Sequence, residues 1–184
     1  ANTAFMIGGD YLRTWVNPLG GEVHGSWKFG RTSGLGASFY QPLDAAQRWF
    51  VEPGAAAQRS IEDIFIDGES VARYRFSHAW GTLDAGRVFG NRTELRAGLR
   101  AGGQSVQREI GDPGLPEISG DGYGGLTMRY SYDSRDRSVL WESGTVARIE
   151  YFRGVEGLGA ADTYDRLEGV ASTAVPFGGN LLYL

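Results

Sequence analysis

Seven of the carboxylates in the last third of the chain, Asp133, Asp136, Glu142, Glu150, Asp162, Asp165 and Glu168, are candidates for chemistry. Paired carboxylates can divide acid and base work when their surroundings push their proton affinities apart. Here they alternate with arginines along strand-like segments, so ion pairs along one face account for them without catalysis. The two histidines, His24 and His78, stand alone within strand patterns. Metal binding needs three or four converging donors, and neither has a second ligand at suitable spacing. A serine hydrolase needs Gly-x-Ser-x-Gly, which sets its nucleophile on a strained turn beside a base, and no such run occurs. Asp121-Gly122-Tyr123 sits at a loop-to-strand junction, where Asp-Gly makes a turn. Gly8-Gly9, Gly20-Gly21 and Gly178-Gly179 open no helix and are not phosphate loops. The expectation is a chain that is not an enzyme and holds no cofactor and no metal.

Composition narrows the remaining classes. The 184 residues carry 18 basic and 22 acidic side chains, a formal net charge of -4. Nucleic acid is therefore not an expected partner, because phosphate binding needs a clustered Lys/Arg excess. With no Cys, a disulfide scaffold and a thiolate metal site are excluded. The length is that of one domain. No run reaches the roughly 18 apolar residues of a membrane helix. A β-barrel stays open, since its strands need only about 9–11 residues of alternation, which hydropathy averages away.

The elements that position these residues read as strands almost throughout. Phe5 to Val16 makes the first, closed by the turn Asn17-Pro18-Leu19-Gly20-Gly21. Glu22 to Gly30 alternates Val23, Trp27 and Phe29 against Glu22, His24, Ser26 and Lys28, and Arg31-Thr32-Ser33-Gly34 turns into a third strand. Two long arms, Trp49 to Asp67 and Ser70 to Phe89, join at the hairpin dipeptide Asp67-Gly68. Thr93 to Gly103 follows, then an exposed loop from Gly111 to Asp121, rich in Pro and Gly. Tyr123 to Asp136, Thr145 to Arg153, Tyr164 to Val175 and the terminal LLYL complete about ten strands. Short turns and longer loops alternate between them, the rhythm of an up-and-down antiparallel sheet.

Side chains in a strand point alternately to its two faces. In YGGLTMRYSYDSRD, Leu126, Met128, Tyr130 and Tyr132 share one face, and Thr127, Arg129, Ser131 and Asp133 the other. The charged residues expected on one surface of the sheet are Arg73, Arg75, Glu94, Arg96, Arg100, Arg129, Asp133, Arg148 and Glu150. In a membrane barrel they line the lumen. Aromatics concentrate near strand ends, with Trp27, Phe29, Phe39, Tyr74, Phe76, Tyr130, Tyr132 and Tyr151 expected at a membrane interface. A water-soluble barrel with the apolar face inside has the same alternation. Long arms, glycine within strands and alternating loop lengths favour the membrane.

Four stretches add a family likeness. GASFYQPLDAAQRWFVEP, Gly36 to Pro53, resembles a signature of the bacterial surface antigen domain at the C-terminus of outer-membrane patatin-like phospholipases. YSYDSRDRSVLWESGTVARIEYF with LGAADTYDRLEGVASTAVPFGG resembles hairpins of the barrel-assembly and two-partner-secretion superfamily, as does FGNRTELRAGLRAG, Phe89 to Gly102. The resemblance implies an all-β, antiparallel up-and-down transmembrane barrel in the bacterial outer membrane. Residues 1–184 would supply about ten strands of a larger barrel. Its implied function is to anchor, and help translocate, a fused N-terminal lipase that this chain does not contain; its partners are outer-membrane lipids and that passenger. The chain departs from the superfamily pattern in lacking the Arg-Gly-aromatic lumenal motif and the Pro expected in the turn Leu140-Trp141-Glu142-Ser143-Gly144. A fragment or excised domain is expected from these departures. An outer-membrane assembly factor and a soluble lipid-binding barrel are the other readings.

Overall fold

Period-two alternation broken by Gly, Pro, Asn and Asp leaves no segment able to bury a helical stripe, and the chain forms one antiparallel sheet. The computed structural model describes residues 5–66, 69–137, 141–177 and 180–183. Its strands are β1 (Met6–Arg13), β2 (Glu22–Gly30), β3 (Thr32–Pro42), β4 (Trp49–Ile66), β5 (Glu69–Phe89), β6 (Thr93–Ile110), β7 (Ile118–Asp133), β8 (Gly144–Gly154), β9 (Tyr164–Phe177) and β10 (Asn180–Tyr183). Each pairs with its sequence neighbours in the order β1 to β10. The sheet is open, as in part of a barrel wall. A single 3-10 turn, Glu156–Leu158, is the only helical element among the described residues. No helix is long and apolar enough to cross a membrane, which says nothing of strands.

Several boundaries differ from expectation. The first strand stops at Arg13, because Asn17 folds the following loop: its carbonyl accepts from Gly20 N at 3.0 Å and its Oδ1 from Leu19 N and Gly21 N at 3.1 Å each. The Pro-Gly loop is only residues 111–117, because pairing of β6 with β7 resumes at Val106↔Ile118 after a bulge. The turn between β2 and β3 is Arg31 alone. Short and long connections alternate as far as β5, but the next three run to residues 90–92, 111–117 and 134–143, so the alternation is lost. Asp67-Gly68 and Gly178-Gly179 lie outside the described residues, as does Leu140.

Strand length varies more than the sequence suggests. The tallest neighbours, β4, β5 and β6, have 18, 21 and 18 residues, about three to four times the usual strand. All three register irregularities, at Ile64/Phe65, Arg73/Tyr74 and Gln104/Val106, fall toward one end of this tall region. We refer to that end, where β4 turns into β5, as the upper end. Bulges bend a strand and increase its twist, and they concentrate at rims.

Candidate functional site

The register separates the two faces. Glu52, Asp84, Gly98 and Thr127 stand in one row across β4, β5, β6 and β7, and Glu150 pairs with Arg129 one turn of the pleat away. On this face side chains meet from strands two apart. Arg96 of β6 reaches Glu52 of β4 at 2.8 Å, Arg100 of β6 reaches Glu150 of β8 at 3.2 Å, and the Thr127 hydroxyl donates to Asp84 at 3.4 Å. Strands two apart lie roughly 9.5 Å from one another in a flat sheet. Such meetings mark the face on which the sheet closes, here the inner face. On the other face the strand side chains pair with adjacent strands, as in Arg73 with Asp63 at 2.7 Å and Tyr151 with Asp165 at 2.5 Å.

Two charge clusters occupy the inner face. In the first, Arg96 is the hub: its Nη1 contacts Glu52 and Asp84 at 2.8 and 3.7 Å, its Nε donates to Glu94 at 2.7 Å, and its guanidinium lies 4.9 Å from the Phe50 ring centre. In the second, Glu150 is the hub, accepting from Arg100, Arg129 and Arg148 at 3.2, 2.9 and 2.8 Å. The clusters have opposite stoichiometry: one guanidinium among three carboxylates, formal charge -2, and one carboxylate among three guanidiniums, formal charge +2. Glycine makes the first cluster possible. A Cβ on Gly98 would stand 2.0 Å from Asp84 Oδ1, and one on Gly86 2.3 Å from the Phe50 ring.

The outer face of the same region is apolar and exposed. Its rows read Trp49, Arg87, Leu95; Val51, Ala85, Ala97; Pro53, Leu83, Leu99; Ala55, Gly81, Ala101; and Ala57, Ala79, Gly103. On β7 the contrast is direct, with Leu126 and Met128 at 46% and 50% exposure flanking Thr127 at 6%. Trp27, Phe29, Phe39, Tyr130, Tyr132 and Tyr151 lie on this outer face by register. Glu94, Arg96, Arg100, Arg129, Asp133, Arg148 and Glu150 lie on the inner one.

Four expected placements are reversed. Arg73 and Arg75 point outward and Tyr74 and Phe76 inward, because β5 keeps an unbroken alternation from Ala72 to Phe89 that also places Asp84 inside. Arg73 and Arg31 share Asp63 at 2.7 Å each, and Arg75 pairs with Glu109. Tyr74 is buried and stacks beside Phe76 with ring centres 6.4 Å apart. The carboxylates Asp136 and Asp165 are separated from the inner clusters, one in the β7–β8 loop and the other on the outer face.

The signature-like stretch Gly36 to Pro53 folds as the end of β3, a six-residue turn and the start of β4. Asp44 organises the turn: its Oδ1 accepts from Arg48 N at 2.8 Å and Trp49 N at 2.9 Å, and its Oδ2 from Arg48 Nε at 3.3 Å. The Trp49 N–H bond, above all, holds this carboxyl below its ordinary pKa. This turn packs on the β1–β2 loop through Gln47, which donates to the Leu19 carbonyl at 3.2 Å.

Among the described residues no group of three His, Asp or Glu side chains is placed to hold a metal ion. The fold and faces define a class: an up-and-down antiparallel sheet with a charged, converging inner face and an apolar outer face. Comparison of the chain with protein-family models finds no match, and comparison with curated proteins finds none either.

Proposed function

We propose that the chain forms part of the wall of a bacterial outer-membrane β-barrel, serving as the anchor and export module of a fused patatin-like phospholipase. The observation that supports the membrane part is the height of the outer apolar band. On β4 it runs from Trp49 to Ala57, on β5 from Ala79 to Arg87 and on β6 from Leu95 to Gly103, in matching rows. Nine residues rise about 30 Å along a strand, and about 23 Å at a tilt near 40°, close to the roughly 25 Å apolar belt of outer-membrane barrels. Trp49, Phe89, Tyr130 and Tyr132 flank one border of that band and Trp27 and Phe29 the other, as aromatic girdles do. A soluble lipid-binding barrel would place Leu83, Leu99, Leu126 and Met128 on its converging face; here they are on the opposite one.

The export role rests on the family likeness of Gly36 to Pro53 and of the C-terminal hairpins. The mechanism is passive: the wall supplies a hydrated path lined by paired charges, and folding of the passenger outside drives transit.

The chain has no Cys, so single cysteines report cleanly on each face. In lipid vesicles, Leu99→Cys is expected to resist a water-soluble maleimide until urea unfolds the protein, while Ser131→Cys on the inner face reacts. Rapid labelling of Leu99→Cys in vesicles would overturn the membrane reading. For the passenger, the intact reading frame is expected to encode an upstream Gly-x-Ser-x-Gly with an Asp-Gly-small partner, and a frame that encodes periplasmic repeats there instead would favour an assembly factor.

A further inference from the structure

The inner face has a second zone, above the paired clusters, where polar groups converge without satisfying one another. A cavity of about 420 Å³ is lined by Trp80, Tyr123, Tyr164, Gln104, Arg100 and Arg166 among others. The register explains the opening. Trp80, Gly102 and Tyr123 form one row, and Arg100, Gly125, Gly154 and Tyr164 the row two residues away. Glycine therefore supplies a bare floor between aromatic walls, with the Tyr164 ring lying against Gly154.

The side chains around this floor differ from those in the clusters below. The Trp80 indole N–H, the Tyr123 and Tyr164 hydroxyls and the Gln104 amide have no hydrogen-bond partner among the described residues. Arg100 Nε is buried with none. A buried donor left unmade is costly, so an acceptor that reaches Arg100 Nε is favoured, while the exposed Tyr164 and Gln104 groups can exchange water for ligand. Among the described residues no carboxylate lines the cavity; at its edge Arg166 Nε pairs with Glu168 at 3.2 Å, leaving its Nη groups to a ligand, and Arg100 belongs to the cluster of formal charge +2 around Glu150.

We propose that this cavity binds an acidic saccharide. Three aromatic rings offer apolar faces to the C–H face of sugar rings while their polar edges stay available. The amide and hydroxyls both donate and accept, as vicinal hydroxyls require. Arg100 and Arg166 meet the carboxylate or phosphate groups, which planar guanidinium recognises well. The volume lies within the roughly 300–1,000 Å³ of small-molecule pockets. An extended polypeptide is the poorer occupant, because it binds sheets by adding to a free strand edge, and β4, β5 and β6, which supply most of the lining, are paired on both sides there; among the described residues β9, at Tyr164 and Arg166, presents a free edge at the border of the cavity. The site is on the inner face alone and stands whether or not the outer face meets lipid.

The test is calorimetric titration of the full chain, folded in detergent micelles, with trigalacturonate, maltotriose and a hexaglutamate peptide. Saturable binding of trigalacturonate is expected, with maltotriose weaker and the peptide weaker still. Arg166→Gln and Tyr164→Ala should each weaken trigalacturonate by about tenfold or more, and Arg73→Gln on the outer face should leave it unchanged. Far-UV circular dichroism verifies that each variant keeps its sheet. Absence of binding, equal binding of maltotriose, peptide binding as tight as the saccharide, or indifference to Arg166→Gln and Tyr164→Ala in folded protein would each overturn the proposal.

Discussion

The two halves of β5 are built on opposite plans. From Ala79 to Phe89 the outward positions carry Ala79, Gly81, Leu83, Ala85, Arg87 and Phe89, while Asp84 faces inward to the Arg96 cluster. From Ala72 to Ser77 the outward positions carry Arg73, Arg75 and Ser77, and the inward ones Ala72, Tyr74 and Phe76. The alternation never slips between them; only the chemistry assigned to each phase changes. A strand can thus leave an apolar solvent for water without a change of register, by exchanging which phase is greasy. On the proposed membrane reading, the outer ion pairs at Asp63 and Glu109 belong to the half that water bathes.

The sharpest break of this comparison is an arginine placed on the outward phase of each half. Leu83→Arg falls in the middle row of the apolar band and is expected to cost about 2–4 kcal/mol, against about 0–1 for Ser77→Arg above it. Urea titration of folding into lipid vesicles measures both. Equal costs would remove the solvent boundary from between Ser77 and Leu83.

Next in size is a contrast of ion-pair hubs. Glu150 is 9% exposed and is the shared counter-charge of three guanidiniums. Glu150→Gln leaves these without their shared counter-charge and is expected to cost roughly 1.5–3 kcal/mol. Arg73→Gln acts in the exposed upper half, where Asp63 keeps Arg31, and is expected to cost about 1 kcal/mol or less. The same urea midpoints decide, and an Arg73→Gln loss as large as that of Glu150→Gln would contradict a water-bathed upper half.

Packing sharpens the comparison between faces within one strand. Gly86 faces inward, where a Cβ would strike the Phe50 ring at 2.3 Å; Gly81 faces outward, where the nearest atom is Gly54 O at 3.8 Å. Gly86→Ala is expected to cost roughly 1–3 kcal/mol and to recover partly in combination with Phe50→Leu, a coupling that a double-mutant cycle reads. Gly81→Ala should be near neutral. Matching losses at the two glycines would mean that Phe50 yields without cost.

Much of this was legible in the residues. Ten strands, their order and the two-faced pattern of β6, β7 and β8 follow from alternation and turn chemistry. The reversed placement of Arg73 and Arg75 was legible too: Leu83 is ten and eight residues away, and an even separation in an unbroken strand fixes the same face. Assigning faces by charge instead of by parity hid the boundary near Ser77. Other features were not readable locally. Bulges at Arg73/Tyr74 and Gln104/Val106 depend on pairing between strands, so Gly111 to Asp121 looked like a longer loop than it is. The hubs at Arg96 and Glu150 join residues as far as 44 and 50 positions apart, and no spacing rule brings strands two apart into contact. The cavity floor needed Gly102 beside Trp80 and Tyr123, a coincidence of three strands.

The smallest effect lies at the lower turns, where the outer apolar band ends. Asp44 accepts two backbone N–H bonds, from Arg48 and Trp49, and the latter is the main cause of its lowered pKa. A carboxyl whose pKa is lower folded than unfolded contributes stability above the unfolded pKa. That contribution fades as pH falls from the ordinary 3.8 through the lower folded value. Asp44→Asn keeps an oxygen that can accept both backbone bonds but carries no charge, so the turn persists and only the pH-linked part is lost. The wild-type protein should therefore exceed Asp44→Asn in urea midpoint near neutral pH, and the difference should shrink as pH falls below the carboxylate range. A gap that stays constant with pH would assign the role of Asp44 to turn geometry alone. A gap that widens in acid would contradict the sign, and with it the claim that these backbone donors favour the ionised carboxylate.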